Sequence, residues 1–485
     1  VNVTHLSAAE MAEKIRRKNF SPVELVEAHL DSIRRLNPKL NALVTVDEER
    51  ALGAARAAEE AVTRGAELGP LHGVPITLKS SIDVAGLRCE AGSRLRAHNI
   101  PSADAPLVSR LKAAGAIVLG NTNCPEFLMA YETDNSLYGR TNNPWDLERT
   151  AGGSSGGESA AIAACCSAGG VGSDGGGSIR VPAHYTGICG LKPTPGRIPA
   201  TGHFPASAGP FAQLGVVGPM ARTARDLQIL FEAMAGPDIG DPSAAPVPTR
   251  WPRREDLRAH RIGYFEDDGR TSVTPETRAA VRAAARHLEE AGFKVSPFRP
   301  DGLEHARQLW WELFGHAGGL VLGPMLAGHE SELSPILIEF VGMVRAEPAL
   351  TLERFMNTLL ERDHLRTQFL RQMENFPVLL CPVCAVPAFR HGERRWSVEG
   401  RSVDYLDAMS YTQWFNLLGN PAAVVPVGWS PEGLPIGVQI VGRPYEDESV
   451  LGIAAEVERG SGGWQAPPCI VGDGARPRAG DDQRE

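Results

Sequence analysis

Through the first sixty residues apolar positions recur three and four apart, the spacing that turns one face of a helix toward a core. Ser7-x-x-Glu10 and Ser21-Pro22-x-Glu24 open two of these runs in capping-box form. Pro22 then falls at the first helical position, where its missing N–H does no harm. Residues 48–64 form an alanine-rich amphipathic run. Residues 1–66 are therefore expected to be an N-terminal helical scaffold.

Beyond this point short apolar runs alternate with helical ones. Strands are expected at 74–78, 116–119, 262–265 and 293–295, with helices at 105–114, 224–234 and 275–291. Strands separated by helical crossovers imply a mixed, mostly parallel twisted sheet sandwiched between helices. Near the end, runs at 422–427 and 436–441 flank Pro431-Glu432-Gly433 and read as a hairpin on that sheet. The whole is read as one large α/β domain over 1–464, with its catalytic core at 67–235. Residues 304–375 stand apart as helix-rich and poor in strand signal. Trp310, Trp311 and Phe314 fall there at helical spacing, a stripe that more often packs in a core than lines a ligand pocket. From residue 465 the chain turns to Pro, Gly, Asp and Arg, and 465–485 is expected to be a disordered tail.

Composition narrows the class. The 485 residues are 42% hydrophobic and 22% charged, ordinary for a globular protein. The net charge of −9, with both signs mixed along the chain, gives no basic face for nucleic acid. No run approaches the roughly 18 to 20 apolar residues that span a bilayer, and residues 1–15 carry no signal-peptide pattern. A cytoplasmic enzyme, monomer or homodimer, is expected. Eight cysteines in so long a chain do not make a disulfide scaffold. Cys381-Pro-Val-Cys384 has the spacing of a metal or redox pair, but it follows an apolar strand and lacks a second pair. Those cysteines, like Cys165-Cys166, are read as buried core residues, and no metal site is assigned.

The chemistry concentrates in two glycine clusters. Gly152-Gly153-Ser154-Ser155-Gly156-Gly157 is followed by a helix and then by Gly172-Ser173-Asp174-Gly175-Gly176-Gly177-Ser178-Ile179-Arg180. Dense glycine marks backbone that turns sharply or is closely approached. A helix over 158–168 advances about 16 Å, and five extended residues from Gly170 return a similar distance at about 3.3 Å each. Ser178 is thus expected beside Ser154 at a helix N-terminus, where unpaired amides favour negative charge. The amides of Gly175, Gly176, Gly177 and Ser178 have the makings of an oxyanion hole.

A serine nucleophile needs a base. No histidine lies in either cluster, and His184 is embedded in a Val-Pro-Ala-His-Tyr turn. Lys79 closes the apolar strand 74–78, and a lysine buried there would lose hydration and shift toward its neutral form. Taken alone, such a lysine is more often a solvated strand end, and a Gly-Gly-Ser-Ser-Gly-Gly run is as often a flexible linker. The helix and second glycine cluster that follow weigh against the linker.

These motifs resemble the amidase signature enzymes. The central signature corresponds to Ala151-Gly152-Gly153-Ser154-Ser155-Gly156-Gly157-Glu158-Ser159-Ala160 through Gly172-Ser173-Asp174-Gly175-Gly176-Gly177-Ser178-Ile179-Arg180-Val181-Pro182. The likeness extends to Leu71-His72-Gly73-Val74-Pro75-Ile76-Thr77-Leu78-Lys79, Asn143-Pro144-Trp145-Asp146 and Gly433-Leu434-Pro435-Ile436-Gly437-Val438-Gln439, and covers most of residues 5–460. The resemblance implies a Ser-cisSer-Lys triad: Ser178 attacks the carbonyl, and Ser154, after a cis peptide bond, passes the proton to neutral Lys79. It implies no metal or organic cofactor. Three departures stand out. Ser80 and Ser81 follow the lysine where the family commonly has an acidic residue, Gly175 replaces a bulkier residue of the oxyanion loop, and Ala151 stands where proline is frequent.

The expected activity is amidohydrolysis of small or hydrophobic amides through a serine acyl-enzyme. Aryl esters, anilides and carbamates or urethanes fall within the same oxyanion chemistry. Segment 304–345 is expected to shape the pocket, with Trp311 and Phe314 as candidate lining residues. The rival reading is the glutamine-hydrolysing A-type subunit of a tRNA-dependent amidotransferase. A noncatalytic phosphate binder fits poorly, because no lysine directly follows the glycines.

Overall fold

In the strand Val378–Pro382, Val378 and Leu380 pack into one apolar cluster while Leu379 and Cys381 pack into another. That period of two, apolar on both sides, describes a strand covered on both faces. The computed structural model describes residues 2–471, and eleven strands, covered most fully at the centre and least at the edges, form its main sheet. They are β1 (Leu43–Val46), β2 (Pro75–Lys79), β3 (Ile117–Thr122), β4 (Gly169–Asp174), β5 (Cys189–Lys192), β6 (Val216–Ala221), β7 (Arg261–Tyr264), β8 (Lys294–Pro297), β9 (Val378–Pro382), β10 (Ala422–Trp429) and β11 (Pro435–Gly442). Their spatial order is β1-β3-β2-β4-β6-β5-β10-β11-β9-β7-β8.

The sheet is mixed and sandwiched between helices, as expected. Parallel pairs lie toward both flanks, β3 with β2 and β2 with β4 on one side, β9 with β7 and β7 with β8 on the other, with β1 added antiparallel to β3 at the first edge. The strands between run antiparallel to their neighbours from β4 across to β9. For β10 and β11 the reason is local: the turn closed by Gly433 N–H on the Ser430 carbonyl, with Gly433 at φ 77°, is too short to return a strand in the same direction.

Helices Ala224–Met234, Pro275–Glu290 and Asp447–Ser461 bury Phe231, Val281 and Ile453 against one face. The other face carries the short helix Arg180–Thr186, Ser410–Leu417 and the segment 304–375. That segment is mostly helical and holds no strand, running through Ala306–Trp311, a π-helical turn Glu312–His316, Ala317–Leu326, Pro335–Arg345 and Leu352–Gln372, with loops before the last two helices. Both N-terminal capping boxes form, with Ser7 and Ser21 at the caps.

Two boundaries differ from expectation. The helix after the first glycine cluster is Gly156–Ala163, shorter than 158–168, because Cys165 takes a left-handed φ of 55° and redirects the chain toward β4. Pro468–Val471 forms a short helix whose Cys469 and Ile470 pack on a core cluster, so the first residues of the expected tail are folded. Residues 472–485 of that tail lie outside the described residues. Among the described residues no helix is long and apolar enough to cross a membrane, and no cluster of His, Cys, Asp and Glu could hold a metal ion. Cys381 and Cys384 are buried free thiols.

Candidate active site

Lys79 is the last residue of β2, a strand buried at every position, between β3 and β4. Its amine is fully buried and surrounded by three hydroxyls: Ser154 Oγ at 2.6 Å, Ser155 Oγ at 3.0 Å and Ser173 Oγ at 3.0 Å. Loss of hydration pulls its pKa from 10.5 down to about 7, against the opposing pull of Cys124, Asp174 and Glu158. The Ser155 hydroxyl donates its proton to the Ser173 carbonyl, so toward Lys79 it can only accept. A neutral amine donates two hydrogens and accepts one. With Ser155 accepting, one hydrogen and the lone pair remain for Ser154 and Ser173, of which Ser154 makes the shorter contact.

The two glycine clusters are stitched together as the chain lengths required. Ser155 N–H donates to the Ser178 carbonyl at 3.1 Å, and Ser155 caps the helix Gly156–Ala163. The Gly153–Ser154 peptide is cis. Exposure rises along the series from Lys79 at 0% through Ser154 at 1% to Ser178 at 9%, so the amine is sealed and the outermost serine opens to a cavity. Among the described residues the Ser178 hydroxyl has no hydrogen-bond partner; catalytic contacts of this kind often tighten only around substrate.

The loop 174–178 is held from one side. Trp310 Nε1 donates to the Gly175 carbonyl at 2.8 Å, and Tyr131 and Thr412 hydroxyls donate to the Gly176 carbonyl at 2.9 and 2.7 Å. Gly177, one of the four expected oxyanion donors, gives its N–H to Asp174 Oδ1 at 2.7 Å and is thereby committed. The amides of Gly175, Gly176 and Ser178 have no protein acceptor among the described residues. Three donors, not four, are free for an oxyanion. Asp174 itself is buried and bonded to Arg180. Burial alone would raise its pKa, but the Arg180 guanidinium outweighs that and holds it well below the usual carboxylate range.

Two cavities, one smaller and one larger, meet at Ser178. Phe314 lies between them and lines both. Trp310 lines the smaller one together with Tyr131, Met129 and Phe340. Trp311 is a correction: it lines neither, but donates from Nε1 to Glu347 at 3.0 Å and packs edge-on to Phe340. Consecutive helical residues point about 100° apart, so only one of the two tryptophans can face the cavity. Trp310 stacks on Phe314 with ring centroids 4.8 Å apart, the pair that helical neighbours four apart can make. The vacancy left by Gly175 is filled, since a Cβ there would stand 2.7 Å from the Phe314 ring.

Several contributors escaped the sequence reading. Ser155 and Ser173 grip the lysine, and both lie inside the glycine clusters where their hydroxyls were visible but unassigned. Asn416 and Gln439 bond Arg180 from more than two hundred residues away, and nothing local points to them. Glu158, buried below the lysine, accepts from Thr77 and Thr122 at 2.5 and 2.7 Å, and burial raises it to about 7. Asp174 and Glu158 supply the acidic surroundings that Ser80 and Ser81 do not. His184 lies in the helix Arg180–Thr186 rather than a turn; burial lowers it to about 4, and its Nδ1 accepts the Gly437 N–H at 2.7 Å.

Known proteins resemble this chain along most of its length. Indoleacetamide hydrolase of Bradyrhizobium diazoefficiens is 37% identical over 94% of this chain and 86% of its own length. A glutamyl-tRNA(Gln) amidotransferase subunit of Thermosynechococcus vestitus is 32% identical over 95% of this chain and 98% of its own length. The crystal structure of a bacterial aryl acylamidase of the amidase signature family superposes with a TM-score of 0.84 at 27% identity, covering 96% of this chain and 98% of that one. The amidase family model matches residues 24–451, and the chain therefore belongs to the amidase family, as an amidohydrolase acting on carbon–nitrogen bonds.

Proposed function

We propose that this enzyme hydrolyses small apolar carboxamides through a Ser178 acyl-enzyme, with Ser154 and Lys79 as its proton relay. The observation that carries the reading is the fully buried Lys79 amine 2.6 Å from Ser154 Oγ. As Ser178 Oγ attacks the carbonyl carbon, its proton passes to Ser154 while the Ser154 proton passes to Lys79. The oxyanion is held by the amides of Gly175, Gly176 and Ser178, each donor being worth about 3 to 4 kcal/mol in related sites. When the tetrahedral centre collapses, the carbon–nitrogen bond breaks and the departing nitrogen takes the proton back from Ser154, which is replenished by Lys79. Water then repeats the cycle on the ester.

Both cavities have apolar walls, Met129, Trp310 and Phe340 in the smaller and Phe211, Val217 and Leu322 in the larger, and favour apolar or aromatic groups on either side of the scissile bond over the charged amino acid end and small ammonia leaving group of glutamine. Arylacetamides, anilides and, through the same oxyanion chemistry, aryl esters and carbamates suit them better than the amidotransferase reaction. Eight free thiols fit a reducing compartment, and we assign the enzyme to the cytoplasm. A panel of aryl amides, fatty amides, carbamates, aryl esters and glutamine, run with the Ser178→Ala variant, tests the reading. Turnover is expected for the apolar amides and for none of the panel with the variant. Preferred release of ammonia from glutamine would favour the amidotransferase branch, and turnover by Ser178→Ala would remove the nucleophile.

A further inference from the structure

The larger cavity contains a side chain that the relay does not use. His203 lines it together with Ser154 and Ser178. Its loop is docked on the residues just beyond Lys79: Phe204 N–H donates to the Ser81 carbonyl at 2.8 Å, Asp83 N–H to the Gly202 carbonyl at 2.8 Å, and His203 bridges to Ile82. Phe204 is pinned between the Phe127 ring and the Arg96 guanidinium, 3.7 Å above its centroid. The imidazole is therefore held by backbone and packing, not by the serines.

Its tautomer follows from its contacts. Nδ1 lies 2.9 Å from the Pro205 carbonyl, which can only accept, so Nδ1 carries the hydrogen and Nε2 carries a lone pair. That Nε2 is buried and has no partner among the described residues. Burial, reinforced by the nearby Lys79 charge, lowers the ring to about 4, so it stays neutral where the relay works.

Only one of the two cavities reaches Ser154. The smaller is lined by Ser178 without it, and the larger by both. The departing nitrogen must face Ser154 to collect its proton, so the amine half of the substrate belongs in the larger cavity and the acyl half in the smaller. We infer that His203 Nε2 is the acceptor for the N–H of the departing nitrogen, and that this contact makes the site prefer amides to esters. The inference rests on the Ser178 reading above. When the nitrogen becomes pyramidal its lone pair turns toward Ser154, and the hydrogen it already bears must find an acceptor elsewhere. An ester oxygen has no such hydrogen. No proton is transferred to His203; the bond orients the nitrogen while the carbon–nitrogen bond breaks and Ser154 delivers its proton.

The test uses three derivatives of one acid: a p-nitroanilide, its N-methyl counterpart and the p-nitrophenyl ester. Active sites are counted by phosphonate labelling, so every rate refers to folded, labelled enzyme. In His203→Leu the anilide-to-ester ratio of kcat/KM is expected to fall about tenfold, the effect of one hydrogen bond in the transition state. The N-methyl-anilide-to-ester ratio should hold, and His203→Gln, which restores an acceptor, should recover part of the loss. An unchanged anilide ratio, an equal fall for the N-methyl substrate, or no recovery with glutamine would each overturn the inference. If His203→Leu does not label, His203→Phe is read in its place. Ser178→Ala run on the same three substrates separates the two ideas: residual turnover there would sink the nucleophile assignment whatever His203 does.

Discussion

At Lys79 the loss of hydration outweighs the attraction of Asp174 and Glu158, and the amine titrates at about 7 instead of 10.5. In the proposed relay the working base is the neutral form, so kcat/KM should rise with pH through about 7 and level off above it. Lys79→Ala should flatten that limb and lower amide turnover by about 10²–10⁴, the usual range for a general base, with activated esters suffering less. A wild-type profile flat from pH 5 to 9 would show the base to be elsewhere. Gly175 supports a second expectation. Gly175→Val places carbon against the Phe314 ring, where a Cβ alone already approaches to 2.7 Å, and should depress kcat by displacing the oxyanion loop. Phe314→Ala in that background should return part of it; no recovery would separate the two residues. Lys79, Ser154 and Ser178 were legible in the sequence because each lies in a motif of a few residues. The choice between Trp310 and Trp311 was not, since periodicity places a stripe on a helix but leaves its rotation against the sheet open.

Among the elements, β4 shows what its glycines are for. A Cβ on Gly170 would lie 2.0 Å from Glu158 Oε1 and 2.2 Å from the Thr77 carbonyl, so the strand admits no side chain where the helix Gly156–Ala163 presses on it. Gly170→Ala should cost about 3 kcal/mol or more, since the opposing atoms include backbone that cannot step aside. A urea midpoint within about 0.3 M of wild type, given m values of roughly 1–3 kcal/mol/M or more, would contradict that. The helices were the most readable elements, because capping boxes and the 3.6 period are written in neighbouring residues. The end of the helix Gly156–Ala163 was not, because Cys165 turns left-handed with no glycine, asparagine or proline to announce it.

For the molecule as a whole, the buried Asp174–Arg180 pair joins the oxyanion loop to Asn416 on the helix Ser410–Leu417 and to Gln439 on β11. Arg180→Met strands a carboxylate in the interior and should cost about 3–5 kcal/mol. Asp174 has a lowered folded-state pKa, so its contribution is present above the unfolded carboxylate value near 4 and is lost only as pH falls through the lower folded one. In Arg180→Met burial acts on Asp174 unopposed and raises its carboxyl, so the gap in urea midpoint to wild type should be widest near pH 8 and narrow as pH falls and the stranded carboxylate takes up a proton, while wild type itself stays flat from pH 8 to 5 as far as this group is concerned. A gap constant from pH 8 to 5 would mean that Arg180 is not what holds Asp174 ionised. The sequence by itself determined the α/β class, the helices and their caps, the hairpin and the three residues proposed for the relay, because periodicity, turn chemistry and motif spacing act over a few dozen residues. Only the tertiary structure decided which hydroxyls surround Lys79, that Gly177 spends its amide on Asp174, which tryptophan faces the cavity and where the free nitrogen of His203 lies. Burial and hydrogen-bond pairing depend on what distant segments cover and reach, and no local pattern of residues carries that information.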